Sequence, residues 1–180
     1  MKYMIASDIH GSAYYCEKML EAYEREEADR LILLGDLLYH GPRNDLPRDY
    51  APKKVAEYLN GYKDSLLCVR GNCDAEVDQH MLMFPAMADY AIFQCGENIV
   101  FAAHGHIWNP TKLPPLKAGD ILLNGHTHIP ACERREGFIY MNPGSISIPK
   151  ENSAHGYMIW EGKEFVWKNI DGESYNETHL

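Results

Sequence analysis

Seven side chains of the types that hold divalent metals recur in short clusters along the chain, each beside glycine or at the end of an apolar run. They are Asp8 and His10, Asp36, Asn72, His104, and His126 with His128. Hydrolysis of a phosphate ester needs a nucleophile stronger than water at neutral pH, and positive charge where the phosphoryl oxygens gain negative charge. Two divalent cations roughly 3.5–4 Å apart supply both, by acidifying a shared water and clamping the attacked group. Such a pair requires one carboxylate able to touch both ions, plus enough nitrogen and oxygen donors to fill each sphere. Asp36 is the natural bridge in this set, and Asp8, Asn72 and the four histidines complete it.

Taken alone, each cluster has a plainer explanation. Asp8 and His10 stand two apart at a strand end and so share a face, yet a turn-capping Asp beside an exposed His would look the same. Asp36 could cap a helix, although an acid set beyond four apolar residues is costly unless paired or metal-bound. Gly71-Asn72-Cys73-Asp74 could be an Asx turn. The pairs in His104-Gly105-His106 and Gly125-His126-Thr127-His128 are harder to explain as packing, because imidazoles two residues apart suit a metal. Pro143-Gly144-Ser145 could close a hairpin, or Asn142 to Ser145 could support the site floor.

These residues need elements to aim them. Lys2 to Ser7 reads as a buried strand that stops at Asp8, followed by a helix capped near Ser12 with Cys16, Met19, Leu20 and Tyr23 on one face. Arg30 to Leu34 and Ser65 to Val69 repeat the arrangement, ending at Gly35-Asp36 and at Asn72, with a second helix between them showing Val55, Tyr58, Leu59 and Tyr62. Open α/β sheets place ligands at such strand ends. From Asp89 onward the strand candidates are closely spaced: Tyr90 to Gln94, Ile99 to Ala103, Ile121 to Leu123, Ala131 to Arg134, Phe138 to Met141, Gly156 to Trp160 and Glu164 to Ile170. They imply a second, more antiparallel sheet. The expectation is an α/β fold, a four-layer αββα sandwich of two mixed β-sheets flanked by helices. Residues 1–170 form one domain and 171–180 a polar tail of little structural value. The proline-bearing segment His40 to Pro52 reads as a substrate-facing or interface loop.

A chain of 180 residues with 46% hydrophobic content can bury one core. Its formal charge of −9 opposes binding to extended nucleic acid, which depends on Lys and Arg. The five cysteines are scattered, with no CxxC spacing, and no secretory apolar segment opens the chain, so a cytoplasmic location with reduced thiols is expected. No apolar run approaches the roughly 20 residues of a membrane span. Aromatic and proline content between residues 39 and 62 makes a homo-oligomer an open expectation.

Together SDIHG (Ser7 to Gly11), GDLLYHG (Gly35 to Gly41), GNCD (Gly71 to Asp74), HGH (His104 to His106), GHTH (Gly125 to His128) and NPGS (Asn142 to Ser145) resemble the calcineurin-like metallophosphoesterases, most of all the YfcE-type phosphodiesterases. The resemblance runs from residue 1 to about 170. It implies one metal held by Asp8, His10, Asp36 and His128, and a second by Asp36, Asn72, His104 and His126. It also implies use of Mn²⁺, with Zn²⁺, Fe²⁺, Co²⁺ and Ni²⁺ as alternatives, and hydrolysis of small diesters such as bis-p-nitrophenyl phosphate by a metal-bridging hydroxide. Many relatives carry His after the metal-binding Asn, where it assists the leaving group, whereas this chain has Cys73. The candidate acids are therefore His40, His106 and Cys73, and oxidation of Cys73 would be expected to disturb the second metal. Arg43 and Asn72 are the candidate substrate-binding residues. Two ions, Asp8, Asp36 and a hydroxide leave a charge of about +1, which a phosphodiester monoanion balances. A monoester dianion overshoots unless Arg43, Lys53 or Lys54 compensates. The rivals are thus a phosphomonoesterase acting on nucleotides or phosphoproteins, and a non-catalytic protein-binding scaffold of the same fold, as in the retromer coat.

Overall fold

Strand β1 (Lys2–Ala6) buries Met4 and Ala6 on one face and Ile5 on the other, all fully. A strand covered on both faces needs apolar side chains on both, so the run does not alternate with polar residues. The computed structural model describes residues 1–180. After the Asp8–Gly11 turn, helix α1 (Ala13–Arg25) starts at Ser12, whose hydroxyl accepts the Tyr15 amide at 3.3 Å. Its expected face, Cys16, Met19, Leu20 and Tyr23, is buried. Strand β2 (Arg30–Leu33), helix α2 (Pro52–Asn60) and strand β3 (Leu66–Cys68) follow, and β1, β2 and β3 pair in parallel. Proline at the first turn suits the start of α2, since that N–H has no helical partner. Val55 and Leu59 are buried, but the helix stops at Asn60, so Tyr62 lies beyond it.

Eight strands complete the chain: β4 (Ala91–Cys95), β5 (Asn98–Ala102), β6 (Ile121–Leu123), β7 (Pro130–Arg135), β8 (Phe138–Pro143), β9 (Gly156–Glu161), β10 (Glu164–Asn169) and β11 (Ser174–His179). They give a six-stranded sheet, β11-β10-β9-β1-β2-β3, and a five-stranded sheet, β4-β5-β6-β8-β7. Both are mixed, as expected, but the second is not the more antiparallel: β4-β5 and β7-β8 are its antiparallel pairs, against β1-β9, β9-β10 and β10-β11 in the first. Residues including Ile5, Ile32, Leu34, Val100, Leu123, Met141, Trp160 and Trp167 fill the space between the sheets, while α1 and α2 cover the outer face of the first. The parallel strands β1, β2, β3, β5 and β6 each lead directly into a loop bearing metal-type residues.

Three further expectations are corrected. The strands after residue 155 do not join the second sheet: β9 pairs antiparallel with β1. The chain leaving β8 passes beside Asp8, where the Ile146 amide donates to the Ser7 carbonyl at 3.0 Å, and this delivers β9 next to β1. Second, residues 171–180 are not a loose tail, because β11 pairs with β10 from Glu164↔His179 to Lys168↔Ser174 and forms a sheet edge. Third, the outer face of the second sheet carries no helix. Phe101, Leu122, Phe138 and Tyr140 are covered by irregular chain that includes Trp108 and Leu116.

A chain ending at Ile170 should therefore lose at least about 1 kcal/mol of unfolding free energy, the net value of one or two ladder hydrogen bonds. Urea titration checks this, and a change within about 0.5 kcal/mol would be the signature of a dispensable tail.

Candidate metal centre

Five of the seven metal-type residues hold left-handed backbone: Asp8 (φ 59°), His10 (50°), Asp36 (55°), His126 (65°) and His128 (63°). That conformation costs roughly 1–2 kcal/mol per residue with a Cβ, so the surroundings must enforce it. The Asp8 amide donates to the Gly35 carbonyl at 3.1 Å, and the His10 amide to that of Asp36 at 2.8 Å. The Asp8 carbonyl in turn accepts the hydroxyls of Ser145 (2.8 Å) and Ser147 (2.9 Å), so the segment after β8 does support the site floor. Glycine is required where loops touch: a Cβ on Gly71 would lie 2.0 Å from Asp36 Oδ1, and one on Gly35 2.3 Å from the Gly71 nitrogen.

All seven side chains converge. His128 Nε2 lies 3.2 Å, and His10 Nε2 3.5 Å, from Asp8 Oδ1. His10 Nε2 is also 3.5 Å from Asp36 Oδ2. On the other side of that oxygen stands His104 Nε2 at 3.4 Å, itself 3.1 Å from Asn72 Oδ1 and 3.2 Å from His126 Nδ1. Two groups of ligand atoms thus share Asp36 Oδ2.

The donor set fits cations. Nδ1 of His10, His104 and His128 faces the carbonyl oxygens of Tyr39, Leu34 and Ile148 at 2.8, 2.6 and 2.8 Å, which assigns the N–H to Nδ1 and leaves Nε2 as a lone pair. Each carboxylate has one oxygen fixed by a backbone amide: Asp8 Oδ2 by His126 (3.0 Å) and Asp36 Oδ1 by Cys73 (2.8 Å). Its other oxygen points into the cluster, and buried Asp8 Oδ1 has no hydrogen-bond donor at all. Lone pairs facing lone pairs repel unless protons or cations stand between them. The titration shifts agree. Burial would lift the Asp8 carboxyl, but the His10 and His128 rings hold it well below the usual range. Burial lowers His104, yet Asp36 and Asp8 more than offset this and bring it up to about 9. Burial and the neighbouring His104 push His126 down to about 4.

A residue whose role the sequence did not reveal holds the centre together. Asp74 accepts three backbone amides, Asp36 (2.8 Å) and Gly71 (2.7 Å) on Oδ2 and Leu37 (2.8 Å) on Oδ1, tying the Asp36 loop to the Asn72 loop. A cavity of about 450 Å³ opens beside the metal-type residues. Arg43 and Asn72 line it as expected, together with Cys73, Thr127 and Lys150. His40 does not: its ring packs edge-on between Tyr39 and Tyr50. His106 lines a neighbouring cavity with Arg135 and Tyr140, and burial beside His104 depresses its imidazole. Lys53 lines a third cavity and Lys54 pairs with Asp49 at 3.7 Å, so neither faces the centre. Burial and the adjacent Asp36 push the Cys73 thiol up to about 12. That keeps the thiol protonated, and it is the thiolate that reacts with oxidants.

Two outcomes follow. Since His104 rises to about 9 and cations need a bare imidazole, binding of Mn²⁺ at pH 7.5 should release protons. Titration calorimetry in buffers of different ionisation enthalpy reads this directly, and identical heats would contradict it. Asp74→Ala should raise the half-saturating Mn²⁺ concentration by at least about tenfold while far-ultraviolet circular dichroism stays native.

Comparison with known proteins places this geometry. Residues 1–164 match the calcineurin-like phosphoesterase superfamily domain. Phosphodiesterase YfcE of Escherichia coli K12 is 48% identical over 157 residues, covering 87% of this chain and 85% of that protein. The solved structure of Yfce, described as a phosphoesterase from E. coli, superposes with a TM-score of 0.95 at 42% identity, covering 99% of both chains. Vacuolar protein sorting 29 from Cryptosporidium parvum shares the fold alone, with a TM-score of 0.63 at 17% identity over 99% of this chain and 98% of that one. With the family domain spanning most of its length, the chain belongs to the calcineurin-like phosphoesterase superfamily.

Proposed function

We propose that the chain is a phosphodiesterase working with two divalent ions, Mn²⁺ first among them. Asp8, His10, Asp36 and His128 hold one, and Asp36, Asn72, His104 and His126 the other. The observation that carries this reading is the position of Asp36 Oδ2, within 3.5 Å of His10 Nε2 and 3.4 Å of His104 Nε2. The 48% identity to a protein named phosphodiesterase supports the reaction class. When bound, two such ions acidify a water and neutralise developing phosphoryl charge.

The chain's own residues do the rest. Asp8 and Asp36 would halve the charge that two divalent ions bring to the centre. Asn72 and His126 border the cavity, so the scissile phosphate meets them on entry. Cys73 keeps its proton and offers it as a hydrogen bond rather than surrendering it to the departing alcohol. With His40 outside the cavity, alcohols that leave as stable anions depart without help from the protein.

The substrate in this reading is a small diester rather than an extended nucleic acid, which a net charge of −9 repels. Five free cysteines support a cytoplasmic location. No helix is long and apolar enough to cross a membrane. Assembly through residues 39–62 is the accompanying proposal, supported by exposed Tyr39 and Leu46.

Chelator-stripped protein should be inert toward bis-p-nitrophenyl phosphate and recover with Mn²⁺, at two ions per chain by metal analysis. Asp36→Asn should lower kcat/KM at least about 100-fold, the upper end of what removing an outer support of a metal ligand costs. Parent-like activity of that variant would refute the assignment.

A further inference from the structure

With two divalent ions held as proposed above, the cavity beside the metal centre would carry more positive charge than one diester balances. Apart from the metal-type residues its lining holds two cations, Arg43 and Lys150, and no carboxylate, in a chain with 26 acidic and 17 basic residues. The lysines and arginines engaged in ion pairs are Lys2, Lys18, Lys54, Arg70, Arg135 and Lys168, and neither cavity cation is among them.

Both cations are free at the head and anchored at the stem. The Lys150 amide donates to the carbonyl of His128 at 3.0 Å, and its own carbonyl accepts the Ser153 amide (3.0 Å) and hydroxyl (2.6 Å). Left-handed Glu151 (φ 54°) and Asn152 (φ 56°) close that turn. Arg43 sits in a turn that Asn44 closes: the Asn44 amide donates to the Gly41 carbonyl at 3.3 Å, and Asn44 Nδ2 to that of His40 at 2.8 Å. Backbones pinned in this way hold two cationic side chains at a cavity wall with less entropy left to lose on binding an anion.

The volume and the charge then point the same way. About 450 Å³ is room for a small organic molecule rather than a bare phosphate. Counting two ions, Asp8, Asp36 and a hydroxide, the metal centre would stand at about +1, which the diester itself balances. Two unit charges remain, and a phosphate monoester, at roughly −1.5 to −2 near pH 7, matches them. We propose that Arg43 and Lys150 form a second anion subsite, which selects phosphodiesters bearing a further, terminal phosphate on the alcohol arm. This rests on the diesterase reading above and narrows its substrate class. Lys150 is the specificity residue that sequence reasoning did not single out.

The test compares thymidine 5′-(p-nitrophenyl phosphate) with its 3′-phosphorylated counterpart, alongside bis-p-nitrophenyl phosphate and p-nitrophenyl phosphate, on Mn²⁺-loaded protein. The 3′-phosphate should raise kcat/KM by about tenfold or more, the scale of one or two charge-assisted hydrogen bonds. Lys150→Gln and Arg43→Gln should each bring that ratio toward one. Calorimetry gives a reading independent of turnover: thymidine 3′,5′-bisphosphate should bind the parent more tightly than thymidine 5′-phosphate, and Lys150→Gln should remove the difference. Equal kcat/KM for the two thymidine diesters overturns the subsite while leaving the diesterase reading intact. So does a loss in both variants that is the same for every diester. Preferred hydrolysis of p-nitrophenyl phosphate, abolished in the same variants, would mean that the cations serve the scissile phosphate of a monoester, and would overturn the diesterase reading with it.

Discussion

The centre depends on lone pairs forced to face one another. Asp8 Oδ1, Asp36 Oδ2, Asn72 Oδ1 and three Nε2 atoms meet within about a hydrogen-bond length, with their N–H groups and second oxygens committed elsewhere. No arrangement of the backbone gives this cheaply. Five residues turn left-handed to deliver their side chains inward, and the cost is offset by the packing of two sheets whose strand ends carry the loops. Ser145 and Ser147 clamp the Asp8 carbonyl, and Asp74 gathers three amides beneath Asp36. Strain concentrated on metal-type residues in this way is the mark of a binding site rather than of ordinary loops.

How much of this was readable in advance depends on how chemistry restricts residue choice. Metal donors come from a short list of side chains, and loops that must approach closely need glycine, so SDIHG, GD, GNCD, HGH and GHTH stand out. Buried strands read well for the same reason: Met4, Ile5 and Ala6 must be apolar on both faces. Edge strands carry no such demand. Ser174–His179 is almost entirely exposed, so its sequence alternates nothing and resembles a tail. Asp74 is also invisible, because its task is to accept amides that only tertiary folding brings together. The absent helix on the second sheet was legible in principle, since Pro110, Pro114 and Pro115 forbid one there.

The supports around the centre also explain why its two halves differ in exposure. Asp8, His10, His104 and His128 are buried, whereas His126 is half-buried and Asn72 exposed. The cavity opens where Asn72 and His126 reach the surface. His126 also departs from the other imidazoles in presenting Nδ1 rather than Nε2 to its neighbours. With no carbonyl holding its ring in place, its orientation depends on backbone geometry at φ 65° and on packing.

Likeness to a vacuolar sorting protein at a TM-score of 0.63 shows how little the fold alone decides. Two sheets and a set of loops do not by themselves make a catalyst, and the distinction lies in side chains. A scaffold would gain nothing from a buried carboxylate oxygen without a donor, nor from left-handed strain at Asp8, Asp36 and His128. Glycine, which takes left-handed backbone without steric strain, would stabilise such a protein by about 1 kcal/mol at each of those positions. Their retention in one connected cluster, with an amide or carbonyl partner supplied for nearly every atom not aimed at its centre, is accounted for by a cation-binding centre and by no purely structural role.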